Sequence, residues 1–138
     1  MMVKRQVLVA RLERVREYLA ILESVLGYDE KRFLSDPFIY STAERNLHLV
    51  IEALIDIGNH IISDRGYPKP ETYAEVFYIL REKQVIHEAL FNDIDGMTSF
   101  RNLLVHDYLK IDRKQVYQLL KSRLAALKRL AAVYAELI

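Results

Sequence analysis

Residues 43–62 read AERNLHLVIEALIDIGNHII, and the distribution of apolar side chains over this stretch decides the fold. Wound at about 3.6 residues per turn, Leu47, Leu49, Val50, Ile51, Leu54, Ile55, Ile57, Ile61 and Ile62 cover most of the circumference. A surface helix keeps its apolar residues to one stripe; a helix apolar nearly all round has neighbours on most sides. The stretch therefore reads as the central helix of a bundle. One polar line crosses it, made of Arg45, Glu52, Asp56, Asn59 and His60.

Working outward, Asp36-Pro37 starts this helix, because Asp caps and proline fits the first helical position. It runs to about Asp64 and stops at Gly66, with Pro68 and Pro70 preventing continuation. Upstream, Val7, Leu12, Val15, Leu19, Leu22, Val25 and Leu26 recur mostly at three- and four-residue steps, so an amphipathic helix spans residues 3–26, with Gly27 as its C-cap. Downstream, Thr72-Tyr73-Ala74-Glu75 is a capping box opening a short helix to about Arg81. Another begins near His87 and reaches the stretch around Arg101 and His106, with Gly96 as a candidate interruption. Asp112 opens the last, carried by Val116, Leu119, Leu120, Leu124, Leu127, Leu130, Val133, Tyr134 and Leu137. No alternating strand pattern occurs. The expected fold is all-α, an up-down bundle of about five helices forming a single domain over residues 1–138.

Composition excludes several function classes. The chain has 138 residues, 51% of them hydrophobic and 28% charged, which is globular rather than disordered. No apolar run approaches a membrane span, and the opening MMVKRQVLVARLER turns charged too early for a signal peptide, so a cytoplasmic location without membrane attachment is expected. Cysteine is absent, which removes thiolate nucleophiles and Cys-based zinc sites. Net charge is +1, so any nucleic-acid contact rests on a local patch.

The chemistry-bearing stretch is SFRNLLVHDYLKID, residues 99–112. Arginine brings a fixed charge on a planar fork, and histidine exchanges a proton near neutrality. Together they suffice for metal-independent RNA cleavage, in which the 2′-hydroxyl is the nucleophile. On an uninterrupted helix, Arg101 and His106 lie five residues apart and diverge by roughly 140°. They share a site only if the helix ends near His106 or a second chain completes it. The same residues also have plainer roles: cations near a helix end favour its dipole, and Tyr108 suits a half-buried core position. Asp56 and His60, four apart, form either half a metal site or a network orienting the motif; two ligands without a third favour the network, and neither metal nor cofactor is expected.

RNLLVHDY, residues 101–108, matches the Arg-X4-6-His motif of the HEPN superfamily in the form Arg-Asn-X3-His-X-Tyr. The rest of the chain resembles the HepT-like ribonuclease toxins encoded beside MntA-type minimal nucleotidyltransferase antitoxins: AERNLHLVIEALIDIGNHII is similar to their second helix, TYAEVFYIL to their third and MTSFRNLLVHDY to their motif helix. The resemblance implies that Arg101 and His106 form the ribonuclease centre, with Asn102 helping to shape it and Asp56, Asn59 and His60 in support. It implies that Tyr108 is the tyrosine the antitoxin modifies with AMP, and that a homodimer brings two motifs into one cleft. It also implies tRNA or mRNA as substrate. The alternative is a non-catalytic nucleotide-binding or regulatory partner of the nucleotidyltransferase, and a third reading is a purely structural dimer.

The last helix is basic. Between residues 110 and 129 stand Lys110, Arg113, Lys114, Lys121, Arg123, Lys128 and Arg129 against one acid, Asp112, with Lys114, Lys121 and Lys128 at seven-residue steps. This is a solvated outer face, or a surface for RNA or for an acidic partner.

Overall fold

The computed structural model describes residues 2–138, with the side chains of residues 2, 3, 4 and 108 outside the description. Among the described residues there are helices and no strands: α1 (Met2–Val25), α2 (Glu30–Ser35), α3 (Pro37–Asp64), α4 (Tyr73–Glu82), α5 (Glu88–Ile94), α6 (Met97–His106), a 3-10 turn (Tyr108–Lys110) and α7 (Arg113–Leu137). The architecture is the expected all-α bundle. It has seven α-helices where the sequence pattern gave about five, for two local reasons. The charged connection after α1 holds one short helix, because Asp29 caps it by accepting from the Arg32 N–H at 2.8 Å and Phe33 anchors it in the core. Gly96, at φ 86°, ends one helix and starts the next, so α5 and α6 are separate.

α3 is the central element. It packs against α1, α2, α4, α6 and α7, and buries Ile39, Ala43, Leu47, Val50, Ile51, Leu54, Ile55, Ile57, Gly58, Ile61 and Ile62. α1 and α7 lie along one side, while α4 and α6 cover another and leave part of α3's polar line uncovered. Asp36 caps α3 by accepting from the Phe38 N–H at 3.0 Å, with Pro37 in the first turn. At the other end the Tyr67 N–H reaches Ile62 O at 3.0 Å and the Gly66 N–H reaches Ser63 O at 3.2 Å, a Schellman closure with Gly66 at φ 67°. Gly27, expected to cap α1 in the same way, does not have positive φ; α1 unwinds through a turn in which Gly27 N–H donates to Ser24 O at 3.1 Å.

Two features fix the register between α3 and its neighbours. The Tyr134 hydroxyl, fully buried on α7, donates to Leu54 O at 3.0 Å. Gly58 lets α3 approach closely, since a Cβ there would stand 2.7 Å from that hydroxyl and 2.8 Å from Val76 on α4. Among the described residues no helix is long and apolar enough to cross a membrane.

Candidate active site

α6 is only ten residues long, and its start and end aim the motif. Gly96 resets the chain direction, Met97, Thr98 and Phe100 pin one face into the core, and the helix stops at His106, with Asp107 in a non-helical conformation before the 3-10 turn. Of the two routes by which the motif residues can meet, a helix end at His106 is therefore present within the chain.

Arg101 points inward and is 8% exposed. Its Nη2 donates to Glu52 Oε1 on α3 at 3.2 Å, and its Nη1 donates to Asn102 Oδ1 at 3.1 Å. Its guanidinium lies 5.0 Å from the ring centroid of Tyr73 at the start of α4. The Nε–H is buried and has no hydrogen-bond partner. Arg101 thus ties three helices together while retaining an unused donor, in a site where an unmade hydrogen bond is costly. Tyr73 is held in place by the α4 cap: Thr72 Oγ1 accepts from Glu75 N at 3.2 Å, and Glu75 Oε2 accepts from Glu71 N at 2.6 Å, one residue further back than a standard capping box.

Glu52 is itself held. Its Oε2 lies 2.6 Å from His48 Nε2, one turn earlier on α3, and His48 Nδ1 lies 3.4 Å from Arg45 Nη1. Partial burial pushes the Glu52 carboxyl up, but its hydrogen bond to His48 and the charge and hydrogen bond of Arg101 outweigh that and keep it below the usual carboxylate range. The carboxylate is charged at neutral pH and neutralises part of the arginine.

A cleft of about 670 Å³ opens here. α3 contributes Asp56 and Asn59, the segment leading into α4 contributes Glu71, Thr72 and Tyr73, and α6 contributes Thr98, Ser99, Arg101, Asn102 and His106. Residues far apart in sequence thus share one wall. Chemically the cleft offers a largely buried cation, an exposed imidazole and several polar side chains, a set suited to an anionic substrate that undergoes proton transfer.

The chain matches the ribonuclease HepT-like family over residues 15–133. It belongs to that family. It is 35% identical over 107 residues to the tRNA nuclease HepT of Aphanizomenon flos-aquae, covering 78% of this chain and 73% of that protein. It is 26% identical over 106 residues to the mRNA nuclease HepT of Shewanella oneidensis, covering 77% of this chain and 79% of that one. In fold it is similar to the tri-AMPylated Shewanella oneidensis HEPN toxin in complex with its MNT antitoxin, with a TM-score of 0.84 at 23% identity over 94% of this chain and 96% of the other. It is also similar to the cytosolic protein YutE of Bacillus subtilis, with a TM-score of 0.85 at 23% identity over 96% and 89% of the two chains.

Within this HepT-like chain the sequence-derived site residues separate. Arg101, Asn102, His106, Asp56 and Asn59 line the one cleft, while His60 is half-buried and does not line it. The side chain of Tyr108 lies outside the described residues; its backbone opens the 3-10 turn directly after the motif. The polar line of α3 divides: Glu52 and Asp56 face a second hollow of about 230 Å³ shared with Arg11, Arg14 and Tyr18 of α1, and of the two Asp56 alone also lines the main cleft. Sequence reading missed His48 and Tyr73. The His48–Glu52 spacing of four was a usable signal for a paired acid and base, whereas nothing in the sequence placed Tyr73 over Arg101.

The basic face of α7 is largely occupied by partners within the chain. Lys114 lies 3.9 Å from Glu30 and Lys128 lies 2.8 Å from Glu23, while Lys121 sits over the Tyr117 ring at 5.7 Å. Arg113 pairs with Glu44 at 3.3 Å, Arg123 donates to the Asn92 and Asp93 carbonyls, and Arg129 pairs with Asp93. Lys110 stands exposed beside the motif.

Proposed function

We propose that this chain is a metal-independent endoribonuclease, the toxin of a two-component module, acting as a homodimer of single HEPN-like domains spanning residues 1–138. The observation that carries the reading is the shared cleft, which Arg101 and His106 line together. In this reading the scissile phosphate pairs with the guanidinium where Arg101 lines the cleft, sharing its charge with Glu52. His106 takes the proton of the ribose 2′-hydroxyl, the 2′-oxygen bonds to phosphorus, and the bond to the 5′-oxygen breaks as that oxygen is protonated by solvent or by His106 of the partner subunit. Arg101 stabilises the charge on the pentacovalent phosphorus, and Asn102 holds the arginine fork. Asp56 and Asn59 shape the far wall, with His60 beside them on α3.

Tyr108, next to the motif, is the proposed acceptor of AMP from an MntA-like nucleotidyltransferase antitoxin. The modification adds a negative phosphodiester near Arg101 and so competes with RNA. The substrate class is tRNA or mRNA, as named for the two curated relatives, and the module acts in the cytoplasm, where RNA and ATP are available. Among the basic residues Lys110 is the favoured RNA contact; Lys114, Lys121 and Lys128 are secondary, since two of them already have carboxylate partners.

The test is to incubate purified protein with total RNA in EDTA and identify the product ends. The expected products carry 2′,3′-cyclic phosphate and 5′-hydroxyl termini. Products with 3′-hydroxyl ends, or activity abolished by the chelator, would rule the mechanism out. Nucleotide binding without cleavage would instead support the regulatory alternative.

A further inference from the structure

A second hollow, of about 150 Å³, lies between α4, α5 and α6 and is contiguous with the cleft, since Ala74, Thr98 and Ser99 line both. Phe77, Tyr78 and Phe91 give it an aromatic wall, and Ile94, Asp95 and Gly96 complete the lining. Phe77 and Phe91 are buried, Tyr78 is 45% exposed, and the Tyr78 and Phe91 rings pack at 5.1 Å with a 48° tilt. Arg81, which does not line the hollow, lies 4.3 Å from the Phe91 centroid and 5.4 Å from that of Tyr78, so the pair is braced.

We propose that this hollow is a nucleobase subsite, holding one base of the RNA strand whose phosphate sits at Arg101. The proposal rests on the ribonuclease reading and deepens it. Thr98 and Arg101 are three residues apart on α6, which puts their Cβ atoms roughly 5–6 Å apart. A phosphate on the guanidinium therefore has the mouth of the hollow within one nucleotide's reach. Single-stranded RNA is recognised by splaying bases out onto aromatic side chains, and a braced aromatic wall accepts a planar ring without rearranging. The Thr98 and Ser99 hydroxyls each donate and accept, so a base edge entering past them keeps its hydrogen bonds. The hollow is narrow where the main cleft is wide and polar, which suits a ring in the one and a phosphate-ribose backbone in the other.

The experiment uses full-length His106→Ala protein, so that RNA is bound without depending on turnover. Short single-stranded RNAs carry 2-aminopurine at successive positions, each with an abasic counterpart. The expected result is fluorescence quenching confined to one position, and about tenfold weaker binding of the RNA that is abasic there. Adding Tyr78→Ala should remove both the quench and the abasic penalty, while Tyr78→Phe keeps both. Ser99→Leu, which blocks the mouth without touching the aromatic wall, should act like Tyr78→Ala if the base enters there. Quenching at no position, or an abasic penalty that survives both Tyr78→Ala and Ser99→Leu, would overturn the subsite. Wild-type cleavage assayed in parallel judges the ribonuclease reading separately: cleavage without base-dependent binding sinks the subsite alone, and binding of this pattern without cleavage sinks the ribonuclease reading alone.

Discussion

Arg101 and His106 carry different structural burdens, although the motif joins them. His106 is exposed at the end of α6, so His106→Ala should change stability by less than about 0.5 kcal/mol while lowering RNA cleavage at least about a hundredfold. Arg101 is charged, yet it is one of the buried residues of α6. In the structure it bridges Glu52, Asn102 and Tyr73, and Arg101→Ala should cost about 1–3 kcal/mol as well as activity, because it strips partners from a buried polar cluster. Arg101→Lys keeps the charge but not the fork, and is the variant that separates geometry from charge. Thermal midpoints and initial rates on the three variants check both claims. Glu52 supplies a pH test. Its folded carboxyl titrates below its ordinary value, so the pairing stabilises the protein above about pH 4.5 and is lost as pH falls through the folded value. Glu52→Gln should be less stable than wild type at neutral pH and should lose less on acidification. Parallel decline of the two proteins would show that the pairing contributes nothing.

At the scale of elements, the cleft depends on how closely α3 and α4 approach. Gly58 sits between the two cleft residues Asp56 and Asn59, and a methyl group there meets the Tyr134 hydroxyl and Val76, which itself lines the cleft. Alanine normally helps a helix, so the local preference and the packing oppose each other. Packing should win, with Gly58→Ala destabilising by about 1–3 kcal/mol and reducing cleavage as α4 is pushed outward. Denaturant unfolding and a rate measurement on the same preparation check it; an Ala variant more stable than wild type would mean that α4 yields freely. The caps were legible from sequence because each is a contact between near neighbours: Asp36 to Phe38, Thr72 to Glu75 and Asp112 to Lys114 and Gln115. The short helix α2 was not, since six residues hold too little periodicity to announce themselves.

At the scale of the whole molecule, two large apolar side chains stand open to solvent and bear on the proposed dimer. Leu109 is 87% exposed in the turn that follows His106, and Phe38 is 86% exposed at the start of α3. Side chains this large and open are candidates for burial against a second copy or the antitoxin. If each scissile phosphate is contacted by both protomers, mixing wild type with excess His106→Ala subunits should depress activity more than dilution does, increasingly so with mutant excess. Activity strictly proportional to the wild-type fraction would show that the motifs act independently. For the antitoxin, mass spectrometry after incubation with an MntA-like nucleotidyltransferase and ATP should find AMP on Tyr108, with activity falling as it accumulates. Adducts found elsewhere, with Tyr108 unmodified, would remove that role.

The sequence by itself determined the helical class, the central place of α3 and the motif residues to examine, because periodicity, caps and short motifs are relations within one or two helical turns. Only the tertiary structure decided what those residues face. Glu52 meets Arg101 across 49 residues, Tyr73 covers the guanidinium from a third helix, and the basic side chains of α7 find carboxylates on α1, α2, α3 and α5. Such pairings are set by how helices cross and how deeply they pack, and a single helix's pattern fixes which face is buried without fixing which side chain of another helix arrives there.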